Sequence, residues 1–245
     1  DHATNMPQII TPGSEGRVLE ANPELIVQNS TDPDGDDITY EFQIFSDPMF
    51  TQLVCEGLNI PEDSETTSWE VPETLSENTW YYWRVRASDG VGKSLWNYGS
   101  FFVNVSNDAP GPIQVSSPEE NINVDSLEPV LSIINGKDPD EEPLSYDFSI
   151  FSDPERTQLV SSSGFLSQGV NGNTTWKVNP PLNNNTRYYW KASALDAQGE
   201  KSEVASDFFV QTGNVAPSSP LLVFPASQSE VNVATLYLEA GLSTD

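Results

Sequence analysis

Two acidic loops carry most of the chemistry this sequence could perform. Asp32, Asp34, Asp36 and Asp37 fall within six residues, and a second set, Asp138, Asp140, Glu141 and Glu142, begins 106 positions later. Carboxylates at that density repel one another unless a cation or water screens them. Calcium takes about six to eight hard oxygen ligands in a flexible geometry, and alternate Asp residues in a tight turn can point inward together. Gly35 permits an unusual backbone there and Pro33 fixes part of it. The loop is not an EF-hand, which needs Gly at its sixth position and Glu at its twelfth. Counted from Asp32, those positions hold Asp37 and Gln43. The competing reading is an ordinary polar turn, because Asp, Gly and Pro favour turns without any metal. The second set lacks the Gly and has Glu in place of two Asp.

Other chemistry finds little support. The single histidine, His2, lies at the N-terminus, and the single cysteine, Cys55, has a serine, Ser161, at the matching position of the second repeat. Neither a catalytic triad nor a zinc site can be assembled from these. None of the 37 acids stands in a recognisable glycosidase motif. The expectation is therefore no enzyme. With only 10 bases the net charge is −27, which repels phosphate backbones and anionic membranes and favours cations. No apolar run approaches the ~20 residues of a membrane span, so no membrane insertion is expected. No signal peptide is visible, so either one has been removed or the chain begins inside a longer protein.

These loops belong to an internal repeat. Ile44-Phe45-Ser46-Asp47-Pro48 recurs as Ile150-Phe151-Ser152-Asp153-Pro154, and Thr51-Gln52-Leu53-Val54 as Thr157-Gln158-Leu159-Val160. Trp69 and Trp83 recur 107 positions later as Trp176 and Trp190, so one residue is inserted between Val160 and Trp176. Asn107-Asp108-Ala109-Pro110 aligns with Asn214-Val215-Ala216-Pro217, and Asp138 with the last residue, Asp245. The pattern implies two full units, 1–106 and 107–213, and a stub of a third, 214–245, all from a longer array.

Within each unit the elements read as strands. Tyr40, Phe42 and Ile44 alternate with Glu41 and Gln43; Tyr81, Trp83, Val85 and Ala87 alternate with Tyr82, Arg84, Arg86 and Ser88. The second unit repeats this with Tyr188, Trp190, Ala192 and Ala194. Gly, Pro, Asn and Asp clusters punctuate the chain roughly every 8–12 residues, as in a β-sandwich. By alternation Trp80 and Tyr82 face outward, and Trp96 and Tyr98 precede the last strand where the second unit has Glu203 and Ala205. These extra aromatics could stack on sugar faces or bury against a neighbouring chain. Alternatively they cover the sandwich edge locally.

Leu75-Ser76-Glu77-Asn78-Thr79-Trp80-Tyr81 and Leu182-Asn183-Asn184-Asn185-Thr186-Arg187-Tyr188 resemble the fibronectin type III signature, with Glu77 and Asn184 where that family often has Pro. The resemblance implies an all-β chain of tandem immunoglobulin-like, fibronectin type III-like antiparallel sandwiches, with seven strands each. It also implies a tyrosine corner, in which the Tyr hydroxyl bonds nearby backbone. A weaker resemblance is to cadherin-like repeats, carried by the acidic loop, by Ala87-Ser88-Asp89-Gly90 and by Asn107-Asp108-Ala109-Pro110.

Sandwich topology brings the loop after the second strand to the same end as the last hairpin. Asp89 should then approach Asp32–Asp37, with Asp1 nearby. Asp196, Asn107 and Asp108 should join Asp138, Asp140, Glu141 and Glu142, where calcium would stiffen the junction. The reading is a non-enzymatic extracellular or cell-surface module, a structural or adhesive stalk, fibre or filament component. Its expected partners are other copies or other surface proteins, engaged through the 214–245 stub. The alternative is a glycan-contacting accessory region of a secreted carbohydrate-active protein.

Overall fold

A computed structural model describes residues 4–213, 222–224 and 239–240. The chain divides into two compact units. The first comprises Asp1–Gly111, Lys137–Pro143 and Asp196–Glu200; the second comprises Pro112–Gly136, Leu144–Leu195 and Lys201–Asp245.

In the first unit, alternation in sequence becomes alternation in burial. The strands are β1 (Gln8–Thr11), β2 (Gly16–Val18), β3 (Glu24–Gln28), β4 (Thr39–Phe45), β5 (Leu53–Pro61), β6 (Thr66–Glu70), β7 (Thr79–Ser88) and β8 (Asn97–Val103). They form a three-stranded sheet, β1-β3-β6, and a five-stranded sheet, β2-β8-β7-β4-β5. Tyr40, Phe42 and Ile44 of β4 and Trp83, Val85 and Ala87 of β7 are fully buried. They meet Leu25 and Val27 of β3 and Trp69 of β6 in one core. Phe42 lies between two indoles, stacked on Trp69 at 5.7 Å and on Trp83 at 6.2 Å. Each fully buried side chain of this size contributes about 1.5–3 kcal/mol relative to exposure.

The second unit repeats the plan with β9 (Gln114–Ser117), β10 (Ile122–Val124), β11 (Val130–Ile134), β12 (Ser145–Phe151), β13 (Leu159–Ser162), β14 (Leu166–Ser167), β15 (Asn173–Lys177), β16 (Thr186–Leu195) and β17 (Lys201–Val210). Its sheets run β15-β11-β9 and β10-β17-β16-β12-β13, with β14 beside β12. Tyr146, Phe148, Ile150, Trp190, Ala192 and Ala194 are fully buried in its core.

One feature departs from the expected seven antiparallel strands. The first strand of each unit is split in two and changes sheets. β1 pairs antiparallel with β3, whereas β2 pairs parallel with β8; β10 likewise pairs parallel with β17. Pro12 and Pro118 interrupt the ladder because proline has no N–H to donate. The turn that follows, closed by the Gly16 N–H donating to Gly13 O at 3.1 Å, carries the chain across.

The most obvious repeated motif builds a turn. Asp47 accepts from Met49, Thr51 and Gln52 N–H and from the Thr51 hydroxyl at 2.6–3.1 Å. Asp153 does the same for Thr157 and Gln158. The turn places Phe50 and Arg156 at positive φ, 56° and 58°. Both tyrosine corners are present: Ser76 N–H donates to Tyr81 Oη, and Asn183 N–H to Tyr188 Oη, each at 3.0 Å. Of the expected 214–245 stub, Leu222–Phe224 and Glu239–Ala240 form an antiparallel pair. The remainder of that expectation lies outside the described residues.

Candidate cation site

The loop joining β3 to β4 is organised by Asp32. Its Oδ1 accepts from Asp34 N–H at 2.7 Å and Gly35 N–H at 3.1 Å, and Gly35 adopts φ +80° as the turn requires. This wraps the chain so that oxygens of Asp32, Asp34 and Asp36 all lie within 4.8 Å of one another. Oxygens around one calcium at about 2.3–2.6 Å are separated by no more than about 5 Å, so the spacing fits a single ion. Asp32 Oδ2 is buried with no hydrogen-bond partner. Asp37 and Asp89 are not part of this group. Asp89 serves its own hairpin, its Oδ1 accepting from Gly92 N–H at 2.6 Å and Val91 N–H at 2.8 Å. Those two bonds, Gly92 first, hold its carboxyl below the usual range, while Asp89 Oδ2 stays buried and unpartnered. Asp1 lies outside the described residues.

The second acidic set also belongs to the first compact unit. Asp140 is fully buried, with one donor on each carboxylate oxygen. Its Oδ2 accepts from Asp108 N–H at 2.8 Å, and its Oδ1 from the Asn104 amide at 3.1 Å once that amide is oriented to satisfy both its ends. Arg17 donates to the Asp140 carbonyl at 2.7 Å. Asp196 accepts from Gln198 N–H, Glu200 N–H and the Asn107 amide at 2.8–2.9 Å. Burial raises its pKa, but the Asn107 bond and the backbone donors outweigh burial and leave it lowered.

Asp138 differs. It is 9% exposed, and its Oδ1 accepts from Asp140 N–H at 2.9 Å while Oδ2 has no partner. Burial first, then the charges of Asp140 and Asp196, push its carboxyl up. Glu142 Oε2 is likewise buried and unpartnered. Glu141 turns away and accepts from Trp80 Nε1 at 3.1–3.2 Å; Asp108 accepts from the Asn78 amide at 2.8 Å. Among the described residues, Asp32, Asp34 and Asp36 form the one group of three acidic side chains with mutually close oxygens. In the second set, backbone and amide donors occupy most oxygens. Two oxygens, on Asp138 and Glu142, lack partners.

The aromatics divide into two pairs. The Trp96 ring is covered by the guanidinium groups of Arg86 at 4.2 Å and Arg84 at 4.3 Å, which are held by Glu41 and Gln43. Tyr98 lies within β8 rather than ahead of it, because the strand begins at Asn97, and packs edge-on against Phe50 at 5.1 Å. Trp96 and Tyr98 therefore cover the sheet of their own unit. Trp80 and Tyr82 instead line an open groove with Glu15 and Ser100. Burial, with a smaller contribution from Glu73, pushes the Cys55 thiol up to about 11, so the reactive thiolate is scarce at neutral pH.

Residues 112–216 match the family model described as "Rha78A-like, N-terminal immunoglobulin domain". Among solved structures, the chain is similar to the FN1–FN3 domains of chicken CNTN1, at 12% identity over 89% of this chain and 71% of that one, TM-score 0.37. It is similar to IG1+IG2 of DIP-gamma, at 8% identity over 84% and 98%, TM-score 0.42. It is also similar to CopC from Methylosinus trichosporium OB3b, at 18% identity over 44% and 96%, TM-score 0.30. No curated protein matches.

Proposed function

We propose that this chain is a non-catalytic, extracellular structural or adhesive module whose acidic loops bind calcium. The observation that carries the reading is the Asp32–Asp34–Asp36 group, whose oxygens fit one ion and include a buried oxygen with no partner. Asp138, Asp196, Glu142 and Asn107 offer a second oxygen set. There the ion would tie the 137–143 and 196–200 loops to the 104–108 segment within the first unit, opposing their independent motion. Binding only to the folded state stabilises it by about 2.7 kcal/mol at a hundredfold excess over Kd.

The test is calorimetric melting in chelator and in millimolar calcium. The expected result is a higher melting temperature with calcium, with part of the increment removed by Asp34→Ala and part by Asp138→Asn. Superimposable wild-type curves would dispose of the reading. A second reading, an accessory domain contacting glycan, is favoured by the solvent-open groove at Trp80 and Tyr82.

A further inference from the structure

The second unit carries a groove at the position where the first unit has Trp80 and Tyr82, but its chemistry is different. It is a shallow groove of about 400 Å³, open to solvent, and its lining includes Glu120, Asn121, Arg156, Arg187, Tyr189 and Asp207. The repeat builds it the same way twice. Glu15 and Asn121 both adopt positive φ, 59° and 62°. Glu15 N–H donates to Ser100 Oγ at 3.1 Å, and Asn121 N–H to Asp207 Oδ1 at 3.3 Å. Tyr82 and Tyr189 occupy the same place, each directly opposite Ser100 or Asp207 on the neighbouring strand.

The polar wall is fixed in advance. Arg187 pairs with Asp207, which is 6% exposed, and also donates to Asn121 Oδ1 at 3.0 Å. Arg156 is held differently. Its guanidinium donates only to the carbonyls of Trp190, Pro154 and Ser206, at 3.4–3.5 Å, and no carboxylate pairs with it among the described residues. Bonds that long are weak, so most of the donor capacity of Arg156 remains unspent. Glu120 is an exposed acceptor at the rim. The lining thus offers planar donors, carboxylate acceptors and the ring of Tyr189, with two positive and two negative side chains.

We propose that this groove binds a pyranose unit of a neutral oligosaccharide, with the sugar ring against Tyr189 and adjacent hydroxyls shared between Arg156 and Glu120. A sugar hydroxyl both donates and accepts, which matches a mixed wall. A neutral ligand suits a balanced lining in a chain of net charge −27, whose field repels polyanions. The site is independent of calcium. It extends the glycan reading to residues that reading does not use.

The experiment is an NMR titration of the whole chain with the β-1,4-linked hexasaccharides of glucose, xylose and mannose, and with a hexauronate as the charged arm. The expected result is saturable shifts of Arg156 Nε–H and the Tyr189 ring with at least one neutral sugar. Arg156→Met and Tyr189→Ala should each weaken binding at least tenfold while leaving the amide spectrum of β11 and β12 intact. Shifts confined to Tyr82 and Trp80 would support the glycan reading and refute this site. Stronger binding of the hexauronate would refute the neutral class. No shift by 20 mM of any probe would refute the proposal.

Discussion

Tyr40 and Tyr146 occupy the same position in the two units, are both fully buried, and differ only in what meets the hydroxyl. Tyr40 Oη accepts from Ser30 N–H at 2.7 Å and donates to Glu62 at 2.9 Å. Burial first, then the Glu62 contact, overrides the Ser30 N–H and pushes this phenol up to about 12. At Tyr146, Gly136 stands where Ser30 does, and the hydroxyl has only a contact with the Gly136 backbone that falls short of a well-formed hydrogen bond. Tyr40→Phe removes the only side-chain acceptor for a buried Ser30 N–H. That leaves an unsatisfied donor, at a cost of about 1–3 kcal/mol. Glu62 is exposed and recovers its bond from water. Tyr146→Phe removes a hydroxyl with only that weak contact, so it should cost clearly less than Tyr40→Phe. At about 4–8 °C per kcal/mol for a domain of this size, the first change is readily seen. Denaturant melts, with hydrogen exchange at Val85 and Ala192 reporting each core, separate the units. Equal losses from the two substitutions, or no loss from Tyr40→Phe, would refute the hydrogen-bond accounting.

Gly99→Ala should destabilise the first unit by about 1–3 kcal/mol by overpacking, because its Cβ would fall 2.4 Å from Nε1 of the fully buried Trp83. A urea melt within error of wild type would show that the indole can move. Glu203 is pulled down to about 2, first by the Lys201 ammonium against the effect of burial, then by Ser193 and Lys191. A depressed carboxylate stabilises the fold above its ordinary value of 4.5 and loses that contribution as pH falls toward 2. The side chain is 38% exposed, so solvent screening reduces the effect to less than about 1 kcal/mol. The gap in urea midpoint between wild type and Glu203→Gln should therefore be present at pH 6 and closed near pH 2; a gap that persists would contradict the assignment.

The fold was legible because burial on one sheet face imposes a period of two that side-chain type reports directly. Tyr81, Trp83, Val85 and Ala87 are all buried, as their alternation requires, and the Leu-to-Tyr spacing located both tyrosine corners. The split first strand was not legible. Gly16–Val18 is three residues long with no alternation to count, and its partner in the ladder, Phe101–Val103, lies 85 positions away. The clustering of carboxylates was legible in part. Asp32, Asp34 and Asp36 converge because they alternate within one turn whose backbone Asp32 itself fixes. Asp37 and Asp89 fall outside the group: Asp37 is out of phase with that alternation, and the Asp89 carboxylate is engaged by Val91 and Gly92 in its own hairpin. Spacing reveals which carboxylates are near in sequence, whereas the backbone N–H groups that compete for them become visible only in three dimensions.

The same distinction explains where the two units diverge. Positions that the sandwich needs are nearly identical in both: the paired indoles Trp83 and Trp190, the corner tyrosines, and the turn aspartates Asp47 and Asp153. Positions on the outer face of the larger sheet are not. Phe50 becomes Arg156, Trp80 becomes Arg187, Trp96 becomes Glu203 and Ser100 becomes Asp207. In the first unit Phe50 and Trp96 are covered through ring and guanidinium contacts while Trp80 and Ser100 line an open groove; in the second Arg156, Arg187 and Asp207 line a charged groove with an under-used arginine. Packing does not demand this second arrangement, since the first unit folds on the same backbone without it. A buried Asp207 and an ordered Arg187 cost desolvation and side-chain entropy, against which stand the bonds of the Arg187–Asp207–Asn121 network. Arg156 is the guanidinium in that wall held only by long contacts, so the sugar proposed for the groove is tested most directly at that residue.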